Sequence, residues 1–292
     1  MDEEQFLKSN DRVDSPGRPL SRRDFLKISG NGVFIFFISP AFGAVDLQQR
    51  GRTYPTDFNA YLKIGEDGRV SLFCSKIEMG QGIITSMAQM LAEELDVALD
   101  SIDMVMGDTL LCPWDGGTTG SRSTKYYGPP LRRAGAEARA ILLQMASEQL
   151  NITPERLLVK NGVVSDKNNA EIKVTYAELV KGKQIDRHLS GVPIKSISEH
   201  TVSGTPTMRT DARPKVTGQA KFTADIMLPG MLHAKVLRPP SHDAKLASVD
   251  VSKALNIAGA IVIQEDDLIA VLHEKQAGRK CACISFCEMG CS

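Results

Sequence analysis

Twice in the first half of the chain a strand pattern runs into a glycine-rich loop, and the loop runs into a helix pattern. In "YLKIGEDGRVSLFCSK", residues 61–76, Leu62 and Ile64 alternate with polar neighbours, "GEDG" makes a turn, and Val70, Leu72 and Cys74 alternate again. The second strand enters "EMGQG", residues 78–82, after which Ile83, Ile84, Met87, Met90, Leu91 and Leu95 recur at helical spacing. Glu93 and Glu94 beside that stripe read as a solvated helix face. The order then repeats: "SIDMVMGD" (101–108) is a strand, and "WDGGTTGSRSTKYYGPP" (114–130) is a loop rich in Gly, Ser and Thr. A long helix starts near Pro129, where proline is well placed, and buries Leu131, Ala134, Ala138, Ile141, Leu142, Met145 and Ala146. Strands feeding helices in this order build an α+β, two-layer lobe.

The loops are where chemistry can sit. Gly80-Gln81-Gly82 lies between a strand and a helix N-terminus. Glycine lets backbone approach a ligand closely, and a helix start offers unpaired N–H groups to an anion. Gln81 adds an amide with both a donor and an acceptor. The second loop carries hydroxyls on Thr118, Thr119, Ser121, Ser123 and Thr124, the guanidinium of Arg122, and glycine amides. Such donors suit a phosphate, without the lysine pattern of a nucleotide-binding P-loop. A tight turn with nothing bound, or an ordinary surface loop, is the plain alternative for each. Other chemistries lack their signatures: no zinc-protease helix motif and no nucleophile elbow occurs. The five histidines, at 188, 200, 233, 242 and 273, are scattered, so no local metal site is expected. Basic and acidic residues balance at 35 each, which points away from nucleic acid. Cys74 and Cys112 stand alone, so no disulfide framework is expected in the body.

The N-terminus reads as an export signal. "SRRDFLK" carries Arg22 and Arg23, the run Val33 to Ile38 is apolar, and Pro40 to Ala44 are mostly small. That is a charged region, a short apolar region and a cleavage-type stretch, and it resembles the twin-arginine motif. The apolar run is far short of the ~20 residues that span a bilayer. Residues 1–44 are therefore expected to be a leader, with cleavage near Gly43 or Ala44 and membrane attachment only if the leader is retained.

With these residues in view, the chain from about 20 to 275 resembles the large, molybdopterin-binding subunit of xanthine oxidase-type hydroxylases. The branch is that of isoquinoline 1-oxidoreductase beta subunits, with nicotinate dehydrogenase-type relatives. The resemblance is carried by "EMGQGIITSMAQMLAEELDV", "TTGSRSTKYYGPPLRRAGAEAR", "NGVVSD" and "KVTGQAKFTADIMLPGMLHAKVLRPP". It implies a molybdenum-pterin cofactor, in a dinucleotide form, held by Gly80, Gln81, Gly82, Gly120, Ser121, Arg122 and Ser123. It implies a partial molybdopterin-binding domain over 45–185, a linker over 186–210, and the start of a hammerhead α/β domain over 211–275. It also implies periplasmic location by the twin-arginine route, a small partner subunit with [2Fe–2S] clusters, and a cytochrome c. The body has no cluster-type cysteine spacing of its own.

After Lys275 the pattern stops. "QAGRKCACISFCEMGCS", residues 276–292, holds Cys281, Cys283, Cys287 and Cys291 without a recognised metal spacing. The expected reading is a shifted, truncated frame; a metal site or a genuine divergent tail are the alternatives. The family's general-base glutamate lies in the part that relatives continue with, so no catalytic residue is assigned here. The complete subunit would hydroxylate an aromatic N-heterocycle or oxidise an aldehyde, and the present chain alone is expected to be inactive. The other reading is a non-catalytic cofactor-binding or assembly protein.

Overall fold

The computed structural model describes residues 30–37, 60–113, 115, 117–186, 188–239, 241, 246 and 248–276. The arginine pair at 22–23, the stretch 40–44 and the cysteine-rich run 277–292 lie outside the described residues. The chain divides into two units between Val216 and Thr217.

The first unit is built on a five-stranded sheet. Its strands are β1 (Gly32–Phe37), β2 (Ala60–Ile64), β3 (Val70–Cys74), β4 (Ile102–Met106) and β8 (Gln184–Asp186), in the order β4-β3-β2-β1-β8. β1, β2 and β3 are antiparallel neighbours, while β4 and β8 pair in parallel at the two edges. The apolar run expected to be the core of a leader is therefore, from Val33 to Phe37, a strand inside the sheet; Ile38 lies outside the described residues.

Alternation sorts the sheet's side chains onto two faces. Val33, Ile35, Leu62, Ile64, Val70, Leu72 and Cys74 share one core with helices α1 (Ile83–Leu95) and α2 (Gly128–Leu150). On the other face Phe34, Phe36 and Tyr61 cluster with Phe73, and the Tyr61 and Phe73 rings stack at 4.4 Å. The helices approach closely where α2 carries Gly135, since a Cβ there would lie 2.9 Å from the Glu94 Cβ of α1.

A second, antiparallel sheet of β5 (Leu157–Lys160), β6 (Val163–Asp166) and β7 (Asn169–Thr175) follows α2. Asn161 and Gly162 turn between β5 and β6 with φ of +50° and +72°, as a two-residue hairpin requires. Val159, Val164 and Val174 deliver this sheet to the main core. The short helix α3 (Tyr176–Val180) starts with a capping box between Thr175 and Glu178, and the Tyr176 hydroxyl donates to the Leu95 carbonyl at 2.9 Å. Helix α4 (Ala212–Val216) closes the unit.

The second unit has β9 (His233–Val236), α5 (Ser252–Leu255), β10 (Ile261–Glu265) and β11 (Leu268–His273), with the sheet order β10-β11-β9. Its core is small, centred on Ala254, Ile269 and Val271. No helix among the described residues is long and apolar enough to cross a membrane.

Cys74 and Cys112 are both free thiols and both buried. Burial pushes the Cys74 thiol up to about 12, and Cys112 is raised for the same reason. The thiolate is the reactive form, so neither residue is expected to react with iodoacetamide at pH ~8 until the protein is denatured. Peptide mass spectrometry before and after denaturation checks this; native labelling of Cys74 would contradict it.

Candidate functional site

The two glycine-rich loops meet because β3's exit is stitched to the segment 113–118. Ser75 donates through its hydroxyl to the Pro113 carbonyl. The Ile77 amide donates to the Thr118 hydroxyl at 2.9 Å. Between them Lys76 donates to the Gly117 carbonyl at 2.7 Å and pairs with Asp115 at 3.0 Å. Lys76 and Asp115 are 8% and 5% exposed, so the pair is buried and needs every contact it has. The Asp115 carboxylate also accepts from the Gly117 amide at 2.7 Å, so the ion pair grips Gly117 by both its backbone groups. Beneath it Lys76 stands over the Tyr127 ring at 5.7 Å, and Tyr127 holds its hydroxyl beside the Cys74 thiol.

In the "EMGQG" turn Gly80 and Gly82 take φ of +102° and +82°, which favours glycine, and Gly82 caps α1. The amides of Gly80, Gly82 and Ile84 all donate to the Glu78 carboxylate, at 2.8, 2.9 and 3.1 Å. The helix start offered to a ligand by the sequence thus holds a resident anion from its own chain. Gln81 likewise folds onto the turn, accepting from the Met79 amide and donating to the Ile77 carbonyl. Arg209 completes the arrangement from far along the chain. It donates to the Gly80 carbonyl at 2.8 Å, to Glu78 at 3.1 Å, and in bidentate fashion to Asp211.

Partial burial pushes the Glu78 carboxyl up, but the three amides and the Arg209 guanidinium outweigh it and hold the pKa below the usual glutamate value. A depressed carboxyl pKa contributes stability that is present above the unfolded value and lost as pH falls through the folded one. Protection of the Gly80, Gly82 and Ile84 amides from hydrogen exchange, corrected for intrinsic rate, is therefore expected to fall as the pH is taken below the ordinary glutamate value of about 4.3. Unchanged protection below that value would contradict the capping role.

The second loop is open. Gly120 and Ser121 take left-handed conformations with φ of +63° and +54°, and both are exposed with Thr119. Arg122 and Ser123 are half-buried where a single π-helical turn, Ser123–Tyr127, enters α2. An ideal Cβ on Gly80 or Gly117 would meet nothing within 4 Å, so open space adjoins both loops, although the backbone polar groups of these two glycines are already paired. A pterin with a phosphate tail would meet this surface at the open space beside Gly80 and Gly117 and at the Gly120–Ser123 donors. The α1 amides are not available to it while Glu78 holds them.

The solvated face expected for Glu93 and Glu94 is corrected: each is 1% exposed. One Glu93 oxygen accepts from the consecutive amides of Thr201, Val202 and Ser203 at 2.9, 2.7 and 2.9 Å. Glu94 pairs with Arg132 at 2.7 Å and accepts from the Lys195 amide. The segment expected to be a linker over 186–210 is therefore bound along the first unit from Lys195 to Arg209. Lys76, Glu78, Glu93 and Arg209 escape a motif search. Only the acid directly before "MGQG" gives a local signal, because the other partners are tens to more than a hundred positions apart. Among the described residues no cluster of three metal-type ligands occurs.

The molybdopterin cofactor-binding domain family matches residues 20–226, which is most of the chain and includes both loops. A nicotinate dehydrogenase subunit of Pseudomonas putida is 34% identical over 88% of this chain and 22% of its own length. The beta subunit of isoquinoline 1-oxidoreductase of Brevundimonas diminuta is 29% identical over 82% of this chain and 36% of its own. A membrane-bound aldehyde dehydrogenase (pyrroloquinoline-quinone) of Gluconacetobacter polyoxogenes is 28% identical over 83% of this chain and 32% of its own. The chain thus spans between 22% and 36% of the length of these relatives. With both glycine-rich loops inside the matched span, the chain belongs to the molybdopterin cofactor-binding domain family.

Proposed function

We propose that this chain is the N-terminal part of a molybdenum-pterin oxidoreductase subunit that, when complete, hydroxylates an aromatic N-heterocycle or oxidises an aldehyde. The observation that carries the reading is the stitched pair of loops, which brings the segment after β3 against the loop before α2 through Lys76, Ile77 and Thr118. The names of the relatives, a nicotinate dehydrogenase and an isoquinoline oxidoreductase among them, support the substrate class.

When bound, the cofactor supplies the two-electron chemistry. This chain's residues would hold and orient it: Gly120, Ser121, Arg122 and Ser123 through their donors on one side, and on the other Gly80, Gln81 and Gly82 by close approach of a turn whose own polar groups are held by Glu78, Arg209 and the turn itself. A dinucleotide tail would be read by the hydroxyls and amides of the second loop. The buried acids of the first unit are committed to structure. Glu93 and Glu94 hold the 195–203 segment, Glu137 accepts from Leu189, Asp115 pairs with Lys76, and Asp166 pairs with Arg156. The resemblance would put the general base in the part of the relatives' length that this chain does not span. Electrons would leave to a small [2Fe–2S] subunit and on to a cytochrome c in the periplasm, reached by the twin-arginine route.

The test is metal and pterin analysis of the chain, extended to the relatives' length, purified with its iron–sulfur partner from molybdenum-replete cells. Molybdenum and pterin in equal amounts are expected. A folded complex holding neither overturns the reading. Turnover of a heterocycle by the 292-residue chain alone would overturn the placement of the base.

A further inference from the structure

We propose that Gly32–Phe37 is a permanent strand of the mature domain, so that any cut made on export falls before Gly32 and not in the small-residue stretch near 43–44. The run pairs with β2 over five positions and with β8 over three, and among the described residues it is the sole strand neighbour of β8. Val33, Phe34, Ile35 and Phe36 are each 7% exposed or less. They serve both faces: Val33 and Ile35 enter the core under the helices, and Phe34 and Phe36 enter the aromatic cluster with Tyr61. A chain from which everything before 43–44 had been removed would lose all of this at once. β2 would become an edge, β8 would lose its strand neighbour, and the inner faces of Leu62, Ile64 and Tyr61 would meet water.

Gly32 distinguishes a fitted strand from a passing apolar run. Its φ is +146°, its amide donates to the Lys183 carbonyl at 2.8 Å, and a Cβ would stand 2.5 Å from the Ile64 carbonyl oxygen. An apolar leader needs only hydrophobicity and length and has no use for a glycine matched to the next strand's backbone. The family match begins at residue 20, so the segment bearing β1 lies within the matched domain. Two demands then fall on one segment. Arg23 stands nine positions before Gly32, and a translocase that engages the arginine pair meets a chain whose following residues are already locked into the sheet.

The strand assignment does not depend on the cofactor, and it depends on the proposed export only for where the sample is taken. The full chain, tagged at its C-terminus, is produced in a host with twin-arginine export, and the soluble protease-resistant protein of each compartment is read by intact mass and N-terminal sequencing. Every folded fraction is expected to begin before Gly32. A folded fraction beginning after Phe37 overturns the proposal. If all the protein stays in the cytoplasm, export fails while the same readout still judges the strand. A protease site placed between residues 44 and 45 gives a second arm. After native cleavage the N-terminal fragment is expected to co-elute with the remainder on gel filtration and to separate only in denaturant; free release overturns the proposal. Gly32→Ala gives the third arm. It leaves a leader's hydrophobicity intact but forces a Cβ onto Ile64, so the melting temperature is expected to drop by about 5 °C. No shift would mean that the strand is not fitted.

Discussion

Glu93→Ala is expected to lower the melting temperature by about 10 °C, the larger part of it from three orphaned amides rather than from a lost ion pair. One carboxylate oxygen takes the N–H groups of Thr201, Val202 and Ser203. Those amides have no strand or helix to bond within, because 201–203 is irregular. Leaving a buried donor unpaired costs ~1–3 kcal/mol, and three half-covered donors together cost about 4 kcal/mol. Lys195, which donates to the Glu93 carbonyl and pairs with Asp96, would lose its Glu93 oxygen but keep those two partners. Glu93→Gln separates the terms. Its amide oxygen can still accept from the three amides, so it should cost about a third as much. The carboxyl is raised by burial but lowered further by the three amides and Lys195, so it rests below its usual value. Its stabilisation is therefore full at neutral pH and is lost as pH falls through that depressed value, and the alanine variant should show less acid sensitivity than the parent. Scanning calorimetry at several pH values checks both statements; equal melting temperatures for the glutamine and alanine variants would refute the account.

What sequence pattern could and could not reveal follows from how far apart the partners stand. β2 and β3 were legible because period-two alternation and the Gly-Glu-Asp-Gly turn lie within one short window. β1 was not, because a strand buried on both faces shows no alternation, and a short apolar run after two arginines matches a leader equally well. Glu93 and Glu94 were misread because helical periodicity marks them only as polar, while the groups that bury them come from residues 132 and 195–203. The loops themselves were found by their glycines. That the α1 amides are taken by Glu78 is a matter of three-dimensional placement, since a glutamate just before a glycine turn reads as an exposed charge.

Lys76→Met is expected to empty the cofactor site through the loop rather than through any contact with the cofactor. The variant keeps the length of the side chain but strands the Asp115 carboxylate, 5% exposed, without its cation. Breaking one half of a buried pair costs ~3–5 kcal/mol, so the melting temperature should fall by about 10 °C. The Gly117 carbonyl also loses its donor, which frees the start of the loop that carries Gly120 to Ser123. In the extended complex, molybdenum and pterin per chain should fall at least about tenfold, an equilibrium change of ~1.4 kcal/mol. The double variant Lys76→Met with Asp115→Leu separates stability from positioning. It removes the stranded charge, and apolar replacement of a buried pair is often neutral, so the melting temperature should return to within about 3 °C of the parent. It also removes the acceptor of the Gly117 amide, so both backbone grips on Gly117 are gone. Cofactor content should therefore stay low while stability recovers. If content recovers along with the melting temperature, the pair is only a prop for the core, and the stitching of the two loops does not position the cofactor.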